Sequence, residues 1–112
     1  MSDLGTGPVV TDYDTYTSYY ELLDDGEIYC SVVVPTAKVE GIRVYDEACR
    51  RRGIGSALLR HFIDYCRSRG DVNSIFVNVS PDPETPLATV KSFYAKNGFT
   101  SIDDSNRMFL EI

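Results

Sequence analysis

The chain has no tryptophan, one histidine and three cysteines in 112 residues. With His61 as the sole imidazole and Cys30, Cys49 and Cys66 scattered without a C-x-x-C spacing, the sequence offers no ligand set for a metal. An odd number of cysteines also excludes a fully paired disulfide framework. No apolar run approaches the roughly 20 residues that cross a bilayer. The opening MSDLGTGPVV has neither the basic nor the apolar region of a secretory signal. These absences predict a cytoplasmic protein without a membrane partner. Basic residues are also scarce: 11 Lys and Arg stand against 17 Asp and Glu, a net charge of −6. A general nucleic-acid binder needs the opposite sign to displace counterions from phosphates, so nucleic acid is excluded as a partner. An amine, a polyamine or a basic protein surface is compatible with the charge.

What is present suits one modest core. A chain of this length forms one domain and can bury about two-thirds of its unfolded surface. Residues 1–12 carry Gly5, Gly7 and Pro8 and read as a loose lead-in. The tyrosines, threonines and valines that follow favour strands near 16–23 and 27–34, joined by a turn at Asp24-Asp25-Gly26. A third strand is expected near 38–45, where Gly41 marks a bulge or a close backbone approach. In GIGSALLRHFIDYCRSRG, the residues Ile54, Ala57, Leu58, His61, Phe62, Tyr65 and Cys66 share one helical face. Gly70 is a fitting stop for that helix.

Residues 74–80 alternate as a strand. Thr85-Pro86 then caps and opens a second helix that ends at Gly98. Two closing strands, FTSI and RMFLEI, flank a turn over Asp103–Asn106. The order β-β-β-α-β-α-β-β predicts an α/β (α+β) fold. Its sheet should be mostly antiparallel, with about six strands and two main helices.

One segment carries chemistry. Arg50-Arg51-Arg52-Gly53-Ile54-Gly55-Ser56 leads from a strand into the first helix. A helix N-terminus presents about four unpaired N–H groups and a partial positive charge. Two glycines let a phosphate approach those amides, Ser56 adds a hydroxyl, and three arginines can pair with phosphate oxygens. The pattern points to a pyrophosphate site. The same glycines would also serve a tight strand-to-helix turn with solvated arginines. The spacing is neither a Walker A loop nor the dinucleotide fingerprint.

Arg50-x-x-Gly53-x-Gly55 followed by Ser-Ala-Leu-Leu resembles the acyl-CoA pyrophosphate loop of the GNAT superfamily of N-acetyltransferases. Ser92-Phe93-Tyr94-Ala95-Lys96-Asn97-Gly98-Phe99 resembles that family's final helix and its Tyr-x-x-x-Gly-Phe ending. Asp25-Gly26 fits its central hairpin. The likeness runs from about residue 18 to the C-terminus. It is to the compact, N-terminally trimmed form seen in phage anti-CRISPR acetyltransferases, a likeness of shape that is not extended to a target.

The resemblance implies a GNAT-like fold and transfer of an acetyl group from acetyl-CoA to a primary amine. Direct attack in a ternary complex is implied, and the acceptor is expected to be a protein lysine or N-terminus with a basic surface. Arg50, Arg51, Arg52, Gly53, Ile54, Gly55 and Ser56 would hold the pyrophosphate. The strand edge at 74–80, Asn78 included, would pair with the pantetheine arm. A backbone N–H at Val44 or Tyr45 would polarise the thioester carbonyl. Tyr94 would protonate the leaving thiolate, and packing is its other role, because Leu87, Val90 and Tyr94 share a face.

A lysine amine is almost wholly charged at neutral pH, so a carboxylate must take its proton. Glu40 is the nearest acid on the strand leading to the site, with Asp46 and Glu47 as alternatives. Three departures from the family stand out. The strand and two helices that normally wall the acceptor site are expected to be absent or reduced to a short tyrosine-rich segment, Leu87 stands where an asparagine is usual, and residues between Val44 and Arg50 do not align cleanly.

His61 is expected to be buried and hydrogen-bonded. Cys49 lies beside the arginines without a placed histidine partner. Tyr13, Tyr16, Tyr19 and Tyr20 either line an acceptor surface or cover the sheet. A second copy pairing along the tyrosine-rich N-terminus is a candidate partner. The competing function is a non-catalytic acyl-CoA-binding or partner-inhibiting module that keeps the fold.

Overall fold

The computed structural model describes residues 8–23, 26–44, 53–79, 87–102 and 106–112, with Val44 described in its backbone alone. The elements are β1 (Val9–Asp12), β2 (Thr17–Leu23), β3 (Gly26–Val33), β4 (Thr36–Val44), α1 (Ile54–Arg69), β5 (Ser74–Asn78), α2 (Leu87–Lys96), β6 (Thr100–Ser101) and β7 (Arg107–Glu111). The fold is α+β, with a mostly antiparallel sheet. It has seven strands where the sequence suggests about six.

The added strand is β1, inside the stretch expected to be loose. Val9–Asp12 lie opposite Tyr20–Thr17 of β2, and the Thr17 hydroxyl donates to Asp12 Oδ1 at 2.8 Å. Two valines and a threonine suit an extended partner to that edge. The expected turns at Asp24-Asp25 and Asp103–Ser105, and the helix start at Thr85-Pro86, lie outside the described residues. Leu23 nevertheless sits opposite Gly26, the spacing of a two-residue hairpin.

The strand order is β1-β2-β3-β4-β5-β7-β6. Strands β4 and β5 are parallel. Strand β7 is antiparallel to both β5 and β6, so β5 and β6 also run the same way. The crossovers β4-α1-β5 and β5-α2-β6 both advance in one direction across the sheet. Right-handed crossovers of that kind place both helices on the same face. Contacts agree: α1 packs on β2, β3 and β4, and Asn97 at the end of α2 donates from Nδ2 to Ser56 Oγ in the first turn of α1, at 3.3 Å.

The helix-covered face holds the core. Tyr19, Ile28, Cys30, Val32, Ala37, Val39, Ile75, Val77 and Met108 point from the strands toward Leu58, Leu59, Phe62 and Cys66 of α1. Burying a side chain of the Leu or Phe kind stabilises the fold by roughly 1.5–3 kcal/mol. Gly26 is required at its position, because a Cβ there would lie 2.6 Å from Ile54 Cγ2 and 3.1 Å from Leu58 Cδ1. Gly70 closes α1 in the left-handed region at φ 79°, and Arg69 grips Asp71 through two hydrogen bonds of 2.9 and 3.1 Å.

The opposite face carries no helix among the described residues. Leu22, Tyr29 and Val33 on it remain 50%, 44% and 54% exposed.

Candidate active site

Strands β4 and β5 part company half-way along β4. Their parallel ladder runs from Thr36 opposite Ser74 to Val39 opposite Val77 and stops there. Strand β4 continues through Val44, while β5 ends at Asn78 and the Val79 N–H turns to Asn106 O at 2.8 Å. Among the described residues, the stretch Glu40–Val44 therefore has no ladder partner on its β5 side.

The parting coincides with a bulge. Tyr29 of β3 lies opposite Gly41, and the next residue, Cys30, lies opposite Val39, so Glu40 is the extra residue. A bulge bends its strand and increases the local twist. Both Glu40 and Gly41 lie toward the helix-free face. A Cβ at Gly41 would meet nothing within 4 Å, so the position is an open notch beside Glu40.

Beyond β4, α1 begins at Gly53, which adopts φ 79° and ψ 24° and has no side-chain cap. The Ala57 N–H bonds to Gly53 O at 2.9 Å, and the amides of Ile54, Gly55 and Ser56 precede the first helical hydrogen bond. A Cβ at Gly53 would also meet open space. Ile54 and Gly55 are buried and pack the helix start onto the sheet.

Tyr94 projects from α2 into the helix-covered side. It is 5% exposed, and its ring packs edge-on against Phe93 and Phe99 at 5.1 and 5.5 Å between centroids. Its hydroxyl has no hydrogen-bond partner among the described residues. Burial pushes the phenol above its usual range, and nearby Cys30 adds to the shift. Cys30 pairs with Val39, the last β4 residue joined to β5, so Tyr94 and the parted strands are close.

Among the described sequence candidates, Glu40 lies on the helix-free side of the bulge. Its Oε2 accepts from Ser31 Oγ at 2.9 Å, and its Oε1 lies 3.5 Å from Lys38 Nζ. The Val44 backbone lies opposite Gly26 at the far end of the unladdered stretch. Ser56 Oγ accepts from Asn97, which leaves the Ser56 proton directed elsewhere. Asn78 ends β5, with its side chain accepting from Arg107 Nε at 3.2 Å. Tyr45, Asp46, Glu47, Cys49, Arg50, Arg51 and Arg52 lie outside the described residues. Leu87 is half-buried against the core.

The expectation for His61 needs correction. The buried stripe of α1 is Ile54, Gly55, Leu58, Leu59, Phe62, Ile63 and Cys66, so it includes Leu59 and Ile63 and leaves His61 exposed at its flank. The imidazole is still hydrogen-bonded, Nδ1 lying 2.8 Å from Oε2 of buried Glu21, which also accepts from Tyr19 OH at 3.1 Å. Of the four N-terminal tyrosines, Tyr19 is core, Tyr20 donates to Glu27 on the helix-free face, and Tyr13 and Tyr16 stack in the open. Sequence reasoning missed Asn97, Ser31 and Lys38. Asn97 precedes Gly98 at φ 98° and carries no signal for its bond to Ser56 in the sequence, whereas Lys38 lies two residues before Glu40 on the same face of β4, a period-2 signal that was available, and Ser31 reaches Glu40 from its place opposite Lys38 on β3.

Among the described residues, no three His, Cys, Asp or Glu side chains could hold a metal ion, and no helix is long and apolar enough to cross a membrane.

Parallel strands that part at a bulge, followed by a helix that opens at Gly53, set the candidate site within the α+β fold. Residues 10–99 match the model of the Acetyltransferase (GNAT) family, and the chain belongs to that family. A comparison with curated protein sequences finds no match. Among solved structures, the chain is similar to the ribosomal-protein-S18-alanine N-acetyltransferase from Escherichia coli, with TM-score 0.65 and 22% identity over 90% of this chain and 72% of that one. It is similar to the anti-CRISPR protein AcrVA5, with TM-score 0.56 and 20% identity over 92% of this chain and 97% of that one. It is also similar to the PaiA N-acetyltransferase from Thermoplasma acidophilum in complex with coenzyme A. That match has TM-score 0.63 and 17% identity over 87% of this chain and 60% of the other.

Proposed function

We propose that the protein transfers an acetyl group from acetyl-CoA to a primary amine presented on the helix-free face of the sheet. The observation that carries this reading is Tyr94, a buried phenol without a hydrogen-bond partner among the described residues, beside the point where β4 and β5 part. A buried hydroxyl left without a partner costs about 1–3 kcal/mol, so its persistence favours a partner supplied by a ligand. The residues fit such a ligand. The Gly53 position is open in front of the first α1 amides, and the β4 edge beyond Val39 offers unladdered backbone groups.

Acetyl-CoA supplies an acyl carbon activated as a thioester. The amides of Ile54, Gly55 and Ser56, with Arg50, Arg51 and Arg52, would hold the pyrophosphate. The β4 edge on one side and Asn78 of β5 on the other receive the pantetheine arm as an added strand. A backbone N–H near Val44 or Tyr45 donates to the carbonyl oxygen as charge develops there. Glu40 takes a proton from the amine, directly or through water, and Tyr94 donates one to the departing sulfur. Leu87 makes no polar contact of the kind an asparagine would.

The acceptor is read as a protein lysine or N-terminus with a basic surface. Among the described residues, the helix-free face gives a macromolecule room and a small metabolite no enclosure, and the net charge of −6 favours a cationic surface. The two buried free thiols, Cys30 and Cys66, suit the reducing cytoplasm as the setting.

Calorimetric titration of acetyl-CoA into the wild type and a Gly53→Asp variant tests the donor site. Aspartate tolerates the left-handed conformation better than most residues and places a carboxylate where the pyrophosphate sits. The expected result is binding by the wild type and affinity weakened at least about tenfold in a folded variant, a difference of about 1.4 kcal/mol. A folded wild type that does not bind acetyl-CoA would overturn the reading and leave a fold used for partner binding.

A further inference from the structure

Lys38 occupies an unusual place for a surface lysine. It lies on β4 one residue before the last β4–β5 pair, on the helix-free face, with Phe76 of β5 as its register partner. Its stem borders a shallow depression lined by Ser31, Val33, Thr36, Glu40 and Phe76. Its Nζ lies 3.5 Å from Glu40 Oε1, and Glu40 is held from its other oxygen by Ser31 Oγ at 2.9 Å. Two residues along a strand span about 7 Å, so the lysine nitrogen is carried from its own position toward the bulge where the strands part. The carboxylate read above as the base therefore already has a primary amine of the same chain beside it.

We propose that Lys38 is an acetylation site of the protein itself, modified within one molecule. The inference rests on the acetyl-transfer reading above. Glu40 Oε1 takes one proton from the Nζ ammonium, and the freed lone pair attacks the thioester carbonyl carbon of acetyl-CoA. A C–N bond forms, the second N–H proton leaves the nitrogen of the adduct to solvent, the C–S bond breaks, and the sulfur leaves as the CoA thiolate, which takes a proton from Tyr94. Tyr94 recovers its proton from solvent, and Glu40 releases the one it took. The balance is one ammonium and one thioester converted to one amide, one free thiol and one proton. The product has no charge at Nζ, so Glu40 loses its ion pair, keeps its bond from Ser31 and is free for the amine of an incoming acceptor.

The sequence contains its own controls. Lys91 and Lys96 are the chain's other two lysines, and both lie on α2, on the far side of the sheet. Lys96 is exposed and Lys38 is half-buried, so uncatalysed acylation favours Lys96. Reaction directed by Glu40 favours Lys38.

The test is a time course of the full chain with acetyl-CoA, read as the acetylated fraction of each lysine peptide by mass spectrometry. It is run over a wide range of protein concentration and beside calorimetry with acetyl-CoA. The expected result is Lys38 labelled about a hundredfold faster than Lys96, the size of effect a positioned proton acceptor supplies. The rate should be independent of protein concentration. Tyr94→Phe and Glu40→Gln should slow Lys38 and leave Lys91 and Lys96 unchanged, and Lys38→Arg should bind acetyl-CoA with no label on that peptide. Lys38 labelled no faster than Lys96 in protein that binds acetyl-CoA would overturn this inference and leave the transfer reading intact. A rate that climbs with protein concentration would overturn the intramolecular route. Failure to bind acetyl-CoA would overturn both.

Discussion

Tyr94 shows how one side chain separates activity from stability. Its ring belongs to the core through Phe93 and Phe99, while its hydroxyl finds no partner among the described residues. Tyr94→Phe keeps the ring contacts and removes only the oxygen. Loss of a general acid lowers the chemical rate by about 10²–10⁴-fold, whereas deleting a buried, unpartnered hydroxyl is neutral to stabilising. The expected outcome is an unchanged or higher melting temperature, an affinity for acetyl-CoA lowered by no more than about tenfold, the share of one hydrogen bond, and a turnover number lower by at least about a hundredfold. A variant that loses stability and keeps its turnover would show the phenol to be structural. Tyr94 was legible because helical spacing and the Tyr-x-x-x-Gly-Phe ending coincide on it. His61 was misread because a periodic stripe fixes which residues share a face to within about one neighbour. The sheet takes Leu59 and Ile63 as the flank of that stripe in its place.

Strand β4 is the element on which the proposed chemistry depends. Its first half is held by β5 and its second half is released. Gly41 was legible as a bulge marker, since a glycine inside a strand of Val and Ile has few other uses. The release from β5 was not legible, because it is a property of two segments far apart in sequence, and no local pattern records where their ladder ends. β1 escaped for a related reason: four residues form a strand only because the β2 edge pairs with them.

The open notch at Gly41 gives β4 a direct test. A Cβ there meets nothing within 4 Å, and valine suits an extended strand better than glycine. Gly41→Val should therefore fold with equal or greater stability. Its side chain would stand beside Glu40 on the helix-free face, where the amine is proposed to approach. Steady-state kinetics with a lysine peptide should show KM for the peptide raised about tenfold or more, roughly 1.4 kcal/mol, with KM for acetyl-CoA little changed. Equal loss of affinity for both would move the amine's approach away from this notch.

At the scale of the molecule, the covered face gathers acidic protons that folding keeps in place. Burial pushes the thiol of Cys66 up to about 12 and that of Cys30 up as well. The phenols of Tyr19 and Tyr94 are also raised, mainly by burial, with Glu21 adding to the shift at Tyr19. Each group is neutral when protonated, so the folded state binds its proton more tightly than the unfolded chain does. The stability this contributes is complete below the unfolded value, which is 9.0 for the thiols, and is lost as pH climbs toward the folded one. Urea unfolding followed by circular dichroism under reducing conditions should give a midpoint insensitive to these groups between about pH 6 and 8. Above pH 9 it should fall, each thiol ionised only in the unfolded chain contributing a slope of up to about 1.4 kcal/mol per pH unit. Cys66→Val keeps a small apolar side chain at the site and removes the titrating proton, so its decline between pH 9 and 11 should be shallower than that of the wild type. A variant whose decline matches the wild type would mean that Cys66 is solvated enough in the native state to ionise freely, which would contradict its placement at 0% exposure under α1.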